Sequence, residues 1–365
     1  MSLLKNPKII FLTPYPYDTA PGQRFRFEQY YGLLKDHGYE LRVLSFLSLS
    51  AYERLYSVGY VVSNLISLLW GFAKRIFHLH ILRSADFVFL FREAAPIGPP
   101  IFEWFISRVL RRKIIYDFDD AIWLTDKQNE SKIEKVIRWR NKVSSICRWS
   151  HKISCGNLYL AEYARQFNSN VIVNPTTIDL NTVDLGLAKH QKKQNQKEVI
   201  IGWTGSHSTL KYLALLEPVF QQLEQSFPHL NVLVIADRNP RLNLRRVKFI
   251  QWKKETEVED LASISIGVMP LPDDEWTKGK CGFKALQYMA LEIPAVVSPI
   301  GVNKDIIHHG INGYLCHTKE EWLECLAKLI TDTTLRSQMG IEGKRKVISN
   351  YSVVSNSSTF LALFS

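Results

Sequence analysis

The 365-residue chain is poor in cysteine, with five, and no two of them stand at CxxC or Cys/His metal spacing. That excludes a disulfide frame and a zinc module, and reduced thiols point to a cytoplasmic protein. No GxGxxG and no GxxxxGK[ST] occurs, so neither common nucleotide-binding fingerprint is present. The opening MSLLKNPKIIFLTPYP lacks an adequate apolar segment and a small-residue cleavage site, so it reads as a first strand and not a secretory leader. No RRM, KH or zinc-finger signature appears, and nucleic acid is not an expected partner. Acidic residues are the scarcer sign, 35 against 46 Lys and Arg, a net charge of +11. Such a balance favours an anionic partner such as a nucleotide, a phosphate or an acidic lipid.

The composition is otherwise that of a globular protein, and the length suits two domains. Short apolar runs at Lys8–Thr13, Glu40–Phe46, Phe87–Phe91, Lys113–Tyr116 and Val171–Val173 read as buried strands. A helix is expected over Arg24–His37, closed by Gly38. The polar segment Gln191–Glu198 is the best linker. Beyond it strands are expected at Val199–Trp203, Asn231–Ala236, Val247–Ile250, Ile266–Met269 and Ala295–Ser298, with helices between. The fold class is therefore α/β, with domains at 1–190 and 191–349.

Residues 1–190 carry 25 basic and 17 acidic side chains, most of the excess charge. They also contain Leu55–Ala73, a stretch without a charged residue, followed by Lys74 and Arg75. A helix packed into the core is the favoured reading, an amphipathic helix on a membrane surface the second, and a true span the least favoured.

Three motifs carry chemistry. In Ile200–Lys211, Gly205 and Ser206 lie in a strand-to-helix loop that lets backbone N–H groups approach an anion, with Lys211 nearby. In Lys278–Ser298, a loop with Lys278, Lys280, Cys281 and Gly282 opens a helix at Phe283, with Lys284 in its first turn. Amides and ammonium groups together suit a diphosphate, and Gln287, one turn on, can reach a sugar hydroxyl. In Tyr116–Trp123, Asp117, Asp119 and Asp120 crowd the end of a strand, an arrangement open to proton transfer, metal binding or simple N-capping.

GWTGSHSTLKYL, KCGFKALQYMALEIPAVVSPIGVN and GINGYL, preceded in order by FLTPYP, GQRFRFEQYYGLLKDHGYEL, FREAAPIGPPIFEWF, YDFDDAIW and VIVNPTTIDL, resemble a family 4 glycosyltransferase over nearly the whole chain. The resemblance implies a retaining GT-B enzyme. Two Rossmann-like domains would face a cleft, acceptor on the first and nucleotide-sugar donor on the second, with the C-terminal helix (350–365) crossing back. It implies no cofactor and no metal: Lys280, Lys284 and Lys211, with amides around Gly205 and Gly282, would offset the departing diphosphate. Asp119, with Asp120 after it, stands where the family places a histidine, Gln287 and Gly279 where it has two glutamates, and Trp203 where an Arg is usual. Gly22, Arg24 and Arg26 are expected on the acceptor side, a surface salt bridge being the equal alternative for the two arginines. The expected acceptor is lipid-linked or a surface-polysaccharide precursor, with peripheral attachment to an anionic membrane. A nucleotide-sugar 2-epimerase and a non-catalytic nucleotide-sugar-binding module are the alternatives.

Overall fold

The computed structural model describes residues 6–55, 59–126, 130–190 and 198–365. The start of the chain, read as leading into a strand without a secretory signal, and most of the expected linker (191–197) lie outside the described residues, as do 56–58 within the uncharged stretch. The chain divides into two units, Met1–Thr176 with Asn356–Ser365, and Thr177–Ser355.

The first unit is built on six parallel strands: β1 (Lys8–Thr13), β2 (Glu40–Ser45), β3 (Phe87–Phe91), β4 (Lys113–Phe118), β5 (Lys152–Cys155) and β6 (Val171–Val173). Their order is β2-β1-β3-β4-β5-β6. β1 and β3 are almost wholly buried, as apolar runs covered on both faces should be. The C-terminal helix Ser357–Leu361 returns to this unit, as the resemblance implies. There Phe360 stacks on Tyr30 at 4.1 Å, and Lys152 donates to the carbonyl of Ala362.

The single helix expected over Arg24–His37 is instead three short pieces, Pro21–Arg24, Glu28–Tyr30 and Tyr31–Asp36. The break has a packing cause. Phe27 leaves helical geometry and enters an aromatic core with Phe11, Phe89 and Phe91, while the adjacent Arg26 also turns inward. A continuous helix would point neighbouring side chains about 100° apart, from its 3.6 residues per turn.

The second unit repeats the plan with β7 (Ile200–Gly205), β8 (Asn231–Ala236), β9 (Val247–Gln251), β10 (Ile266–Met269), β11 (Ala295–Val297) and β12 (Gly313–Leu315), ordered β12-β11-β10-β7-β8-β9. The expected boundary at 190 is corrected. Ile178 bridges to Ser352, and its N–H donates to the carbonyl of Tyr351, so the chain joins the second unit before the polar segment.

The core-packing reading of Leu55–Ala73 is also corrected. The helix runs Val61–Leu82, and Val62, Ile66, Trp70 and Phe77 are 71, 61, 63 and 66% exposed. Its polar anchor is buried instead: Arg75 donates to the carbonyls of Thr13, Leu44 and Ala94.

Candidate active site

In a doubly wound sheet, ligands bind beyond the carboxyl ends of the strands where the order reverses. In the first unit that place lies between β1 and β3, and the acceptor-side candidates gather around it. A Cβ on Gly22, in the loop after β1, would lie 3.4 Å from Asp119 Oδ2 and 3.8 Å from Arg92 Nη2. The loop is held by Gln23, whose side chain accepts from the Tyr15 N–H and donates to the Tyr15 carbonyl and to Glu28.

Arg92, which follows β3, donates through Nε to Asp119 at 2.9 Å and through Nη2 to Asp120 at 2.8 Å. Burial works against charge on Arg92, but the two carboxylates outweigh it and hold its pKa above the ordinary value. Burial pushes Asp119 up, while Arg92 pulls the other way. This guanidinium clamp was missed in the sequence, because its partners follow adjacent strands, 27 and 28 positions apart; the Arg-Glu directly after the apolar run of β3 is the local signal.

Asp117 is a different kind of residue. It is buried and bound by Arg26 through Nη2 at 2.5 Å and Nε at 3.3 Å, and the Ser154 hydroxyl also donates to it. The expected acceptor role of Arg26 is therefore corrected. At 1% exposure, and donating in addition to the Asn174 carbonyl, it is structural, and it is not a surface salt bridge either. Arg24 stays near the loop, 3.7 Å from Asp18.

Glu28 accepts from the Asp18 N–H at 2.8 Å and from Gln23 at 3.0 Å, yet burial raises its pKa from 4.5 to about 7 against those bonds. A raised carboxyl pKa means stability that is full below pH 4.5 and falls as pH climbs through 7. Glu28→Gln is expected to remove this loss, on the order of 3 kcal/mol. Urea midpoints at pH 5 and pH 8 should differ less in the variant than in the parent.

In the second unit the order reverses between β7 and β10. The strands pair at Ile201 and Gly202, then part: the Thr204 N–H goes to the Tyr288 hydroxyl at 3.1 Å. The two predicted loops flank this opening. A side chain on Gly205 would begin 2.4 Å from the Trp203 ring, and Ser206 starts the next turn with a capping box to Thr209. Gly282 has φ +67°, and a Cβ there would lie 2.2 Å from Ile306, so glycine alone fits at the entry to the helix Phe283–Ala290. Cys281 is buried beside it.

Lys284 Nζ lies over the Trp203 ring at 5.5 Å, and Lys280 Nζ over Trp276 at 4.9 Å. Trp203 thus joins both loops to one cation. Lys278 is bound instead by Glu275 at 2.6 Å, and Lys211 lies over Tyr212. Gln287 is buried, and its amide donates to Glu257 at 3.4 Å, a carboxylate that also accepts from Trp252. Two residues the sequence reading passed over stand here, His207 and Asp237, paired at 2.5 Å through the ring and the His207 N–H. An Asp directly after the apolar run NVLVIA was the available signal.

A cavity of about 420 Å³ opens beyond the carboxyl ends of β10, β11 and β12, lined by Pro270, Leu271, Ser298, Cys316, Lys319 and Trp322 among others, and by none of the predicted donor residues. Among the described residues no group of three His, Cys, Asp or Glu could hold a metal ion.

Residues 198–332 match the family described as Glycosyl transferases group 1. No curated protein matches the sequence. Among solved structures, the chain is similar to the sucrose-phosphate synthase of Thermosynechococcus elongatus (14% identity, 98% of each chain, TM-score 0.73). It is also similar to Anabaena Alr3699/HepE in complex with UDP and glucose (14% identity, 97% of this chain and 98% of that one, TM-score 0.66). WaaG, a glycosyltransferase involved in lipopolysaccharide biosynthesis, matches at 12% identity over 97% of this chain and 99% of its own, TM-score 0.62. At such identities the likeness is one of fold, and the family match supplies the chemistry. The chain thus has the GT-B fold, and its residues 198–332 match the glycosyl transferases group 1 family.

Proposed function

We propose that the enzyme moves a sugar from a nucleoside diphosphate sugar to a glycan or lipid-linked acceptor, with retention at the anomeric carbon and without a divalent metal. The observation that carries this reading is the pair Lys280 and Lys284 at the Gly282 helix entry, beside the opening between β7 and β10. HepE is similar in fold and is described with UDP, with UDP and glucose, and with UDP-glucose, which makes UDP the first nucleotide to test.

In this reading the diphosphate lies against the amides at Gly282 and Gly205, and the two ammonium groups offset charge as the bond to the sugar breaks. The acceptor hydroxyl attacks from the same side, and the departing phosphate oxygen takes its proton. Glu257 and Gln287 form a polar pair suited to sugar or ribose hydroxyls. Asp119 positions the acceptor or the donor sugar, its direction fixed by Arg92. With Asp119 and Asp120 both held by that guanidinium, a side chain already offsets part of the charge in this cluster, the role a cation would otherwise fill. The five cysteines are free, which suits a cytoplasmic enzyme.

Two outcomes test this reading. Transfer should persist in EDTA; full loss, restored by Mn²⁺ or Mg²⁺, would show that the acidic cluster holds a metal. Asp119→Asn should lower kcat by roughly a hundredfold to a thousandfold, the range for losing one positioned polar group, while UDP affinity stays unchanged. An equal loss in UDP affinity would place Asp119 in nucleotide binding.

A further inference from the structure

The helix Val61–Leu82 is built inside out. Positions 62, 66, 69, 73, 76 and 80 recur at helical spacing, and with their neighbours 61, 65, 70 and 77 they are all exposed. Apart from His80, every one of these is apolar, including Leu69, Trp70, Ile76 and Phe77. The opposite face is anchored by Gly71 against Phe46 and by Arg75, with His78 Nδ1 3.1 Å from its guanidinium. Three carbonyls accept from Arg75, so the helix cannot roll to bury its apolar side.

The apolar surface continues. Phe72 lies 6.2 Å from Phe102 in the next helix, Ile101–Trp104, where Ile101 and Trp104 are exposed. Just before it, the Gly98 N–H donates to the carbonyl of Ile137 in the helix Lys132–Arg138. That helix buries no residue. It shows Ile133, Val136 and Ile137 beside Lys132, Lys135 and Arg138, and Trp139 follows.

We propose that this face of the first unit, the helices Val61–Leu82, Ile101–Trp104 and Lys132–Arg138, lies on an anionic lipid bilayer. A contiguous exposed apolar surface marks an interaction site. The charge pattern chooses the occupant. Between Glu53 and Asp86 there is no acidic residue, and Arg83, Lys132, Lys135 and Arg138 are exposed. A second copy pairing through the same face would set these cations against one another, whereas anionic headgroups complement them. Trp70, Trp104 and Trp139 supply the side chains that favour the boundary between headgroups and hydrocarbon. The helix is long and apolar enough to cross a membrane by length and composition, but the Arg75 anchor keeps one face on the protein, so it lies in the interface. Arg75 and Lys74 are not the surface cations the sequence suggested: Arg75 is buried, and Lys74 donates to the Ser45 carbonyl.

This inference stands apart from the transfer reaction, and its test contains no sugar donor. The full chain is sedimented with phosphatidylcholine vesicles with and without phosphatidylglycerol, at low and high salt. Pelleting with the anionic vesicles, weakened by salt, is expected. Leu69→Glu with Trp70→Glu should reduce it by roughly tenfold or more. Both residues are exposed, so the variant should unfold at the parent's midpoint. If it does not fold, quenching of parent tryptophan fluorescence by brominated lipid decides, and quenching is expected. Protein left in the supernatant with anionic vesicles at low salt, undiminished binding by the folded variant, or absence of quenching overturns the proposal. So does a dimer that the variant dissolves while vesicles bind neither form.

Discussion

Lys280→Ala together with Lys284→Ala is expected to weaken UDP binding by roughly a hundredfold or more, read by titration calorimetry. A charge-assisted hydrogen bond contributes about 1.5–3 kcal/mol, and tenfold in affinity is about 1.4 kcal/mol. The low end for two such bonds already gives that loss, and each single variant should show about tenfold. The two groups are neighbours, so their effects need not add. Both ammonium groups rest on tryptophan faces, Lys280 on Trp276 and Lys284 on Trp203, from which a stronger anionic partner can draw them. Lys278→Ala is the internal control. Glu275 and Asp273 already hold that side chain, so UDP affinity should stay within about twofold, the scale of a surface ion pair. Unchanged affinity in the double variant would remove the donor site from this loop.

Asp117→Ala should cost the first unit about 3–5 kcal/mol, because it leaves the Arg26 guanidinium buried without its counter-charge. The geometry is demanding: Arg26 and Asp117 are both fully enclosed, and Ser154 and Asn174 complete the network. Replacing both ions, Arg26→Met with Asp117→Leu, should recover a large part of the loss, since well-packed apolar pairs often match buried ion pairs. The denaturation midpoint in urea checks both, and a shift equivalent to less than about 1 kcal/mol for Asp117→Ala would contradict this account of the pair.

Strands were most legible where they are buried and apolar. β1, β3, β8 and β10 were read to the residue, since burial on both faces imposes an uninterrupted apolar run, and so was the half-buried edge strand β6, an unbroken Val-Ile-Val. β5 (KISC) and β12 (GYL) were not assigned as strands, being short and bearing lysine, serine or glycine. The segment between β7 and β8 is helical without a gap from Leu210, as one of the helices expected between strands there, but in three pieces: an α-helical turn Leu210–Leu213, a 3-10 turn Ala214–Leu216 and the helix Glu217–Ser226, with Pro218 in its first turn. The Val61–Leu82 helix shows a deeper limit. Periodicity reveals that one face differs from the other, but which face turns inward was decided by Arg75 finding three carbonyls.

The loops proposed to hold the donor were legible because glycine and lysine at a helix entry are local in sequence. The Arg92 clamp on Asp119 and Asp120, the His207–Asp237 pair and the Glu257–Gln287 pair were not. Each depends on strands or loops that only the fold brings together. Conversely, Asp117, Asp119 and Asp120 looked like one acidic cluster. The structure divides them between a buried ion pair and a partly open clamp, which separates a residue that holds the fold from two that the proposed function places at the acceptor.

The central claim is sugar transfer from a nucleoside diphosphate donor with retained configuration. Proton NMR of the chain with UDP-sugars and a glycan acceptor panel in EDTA tests it most directly. The account predicts UDP released in step with a new glycosidic anomeric signal of the same configuration as the donor. An inverted anomeric signal, or UDP release that yields only free sugar across the panel, would contradict it.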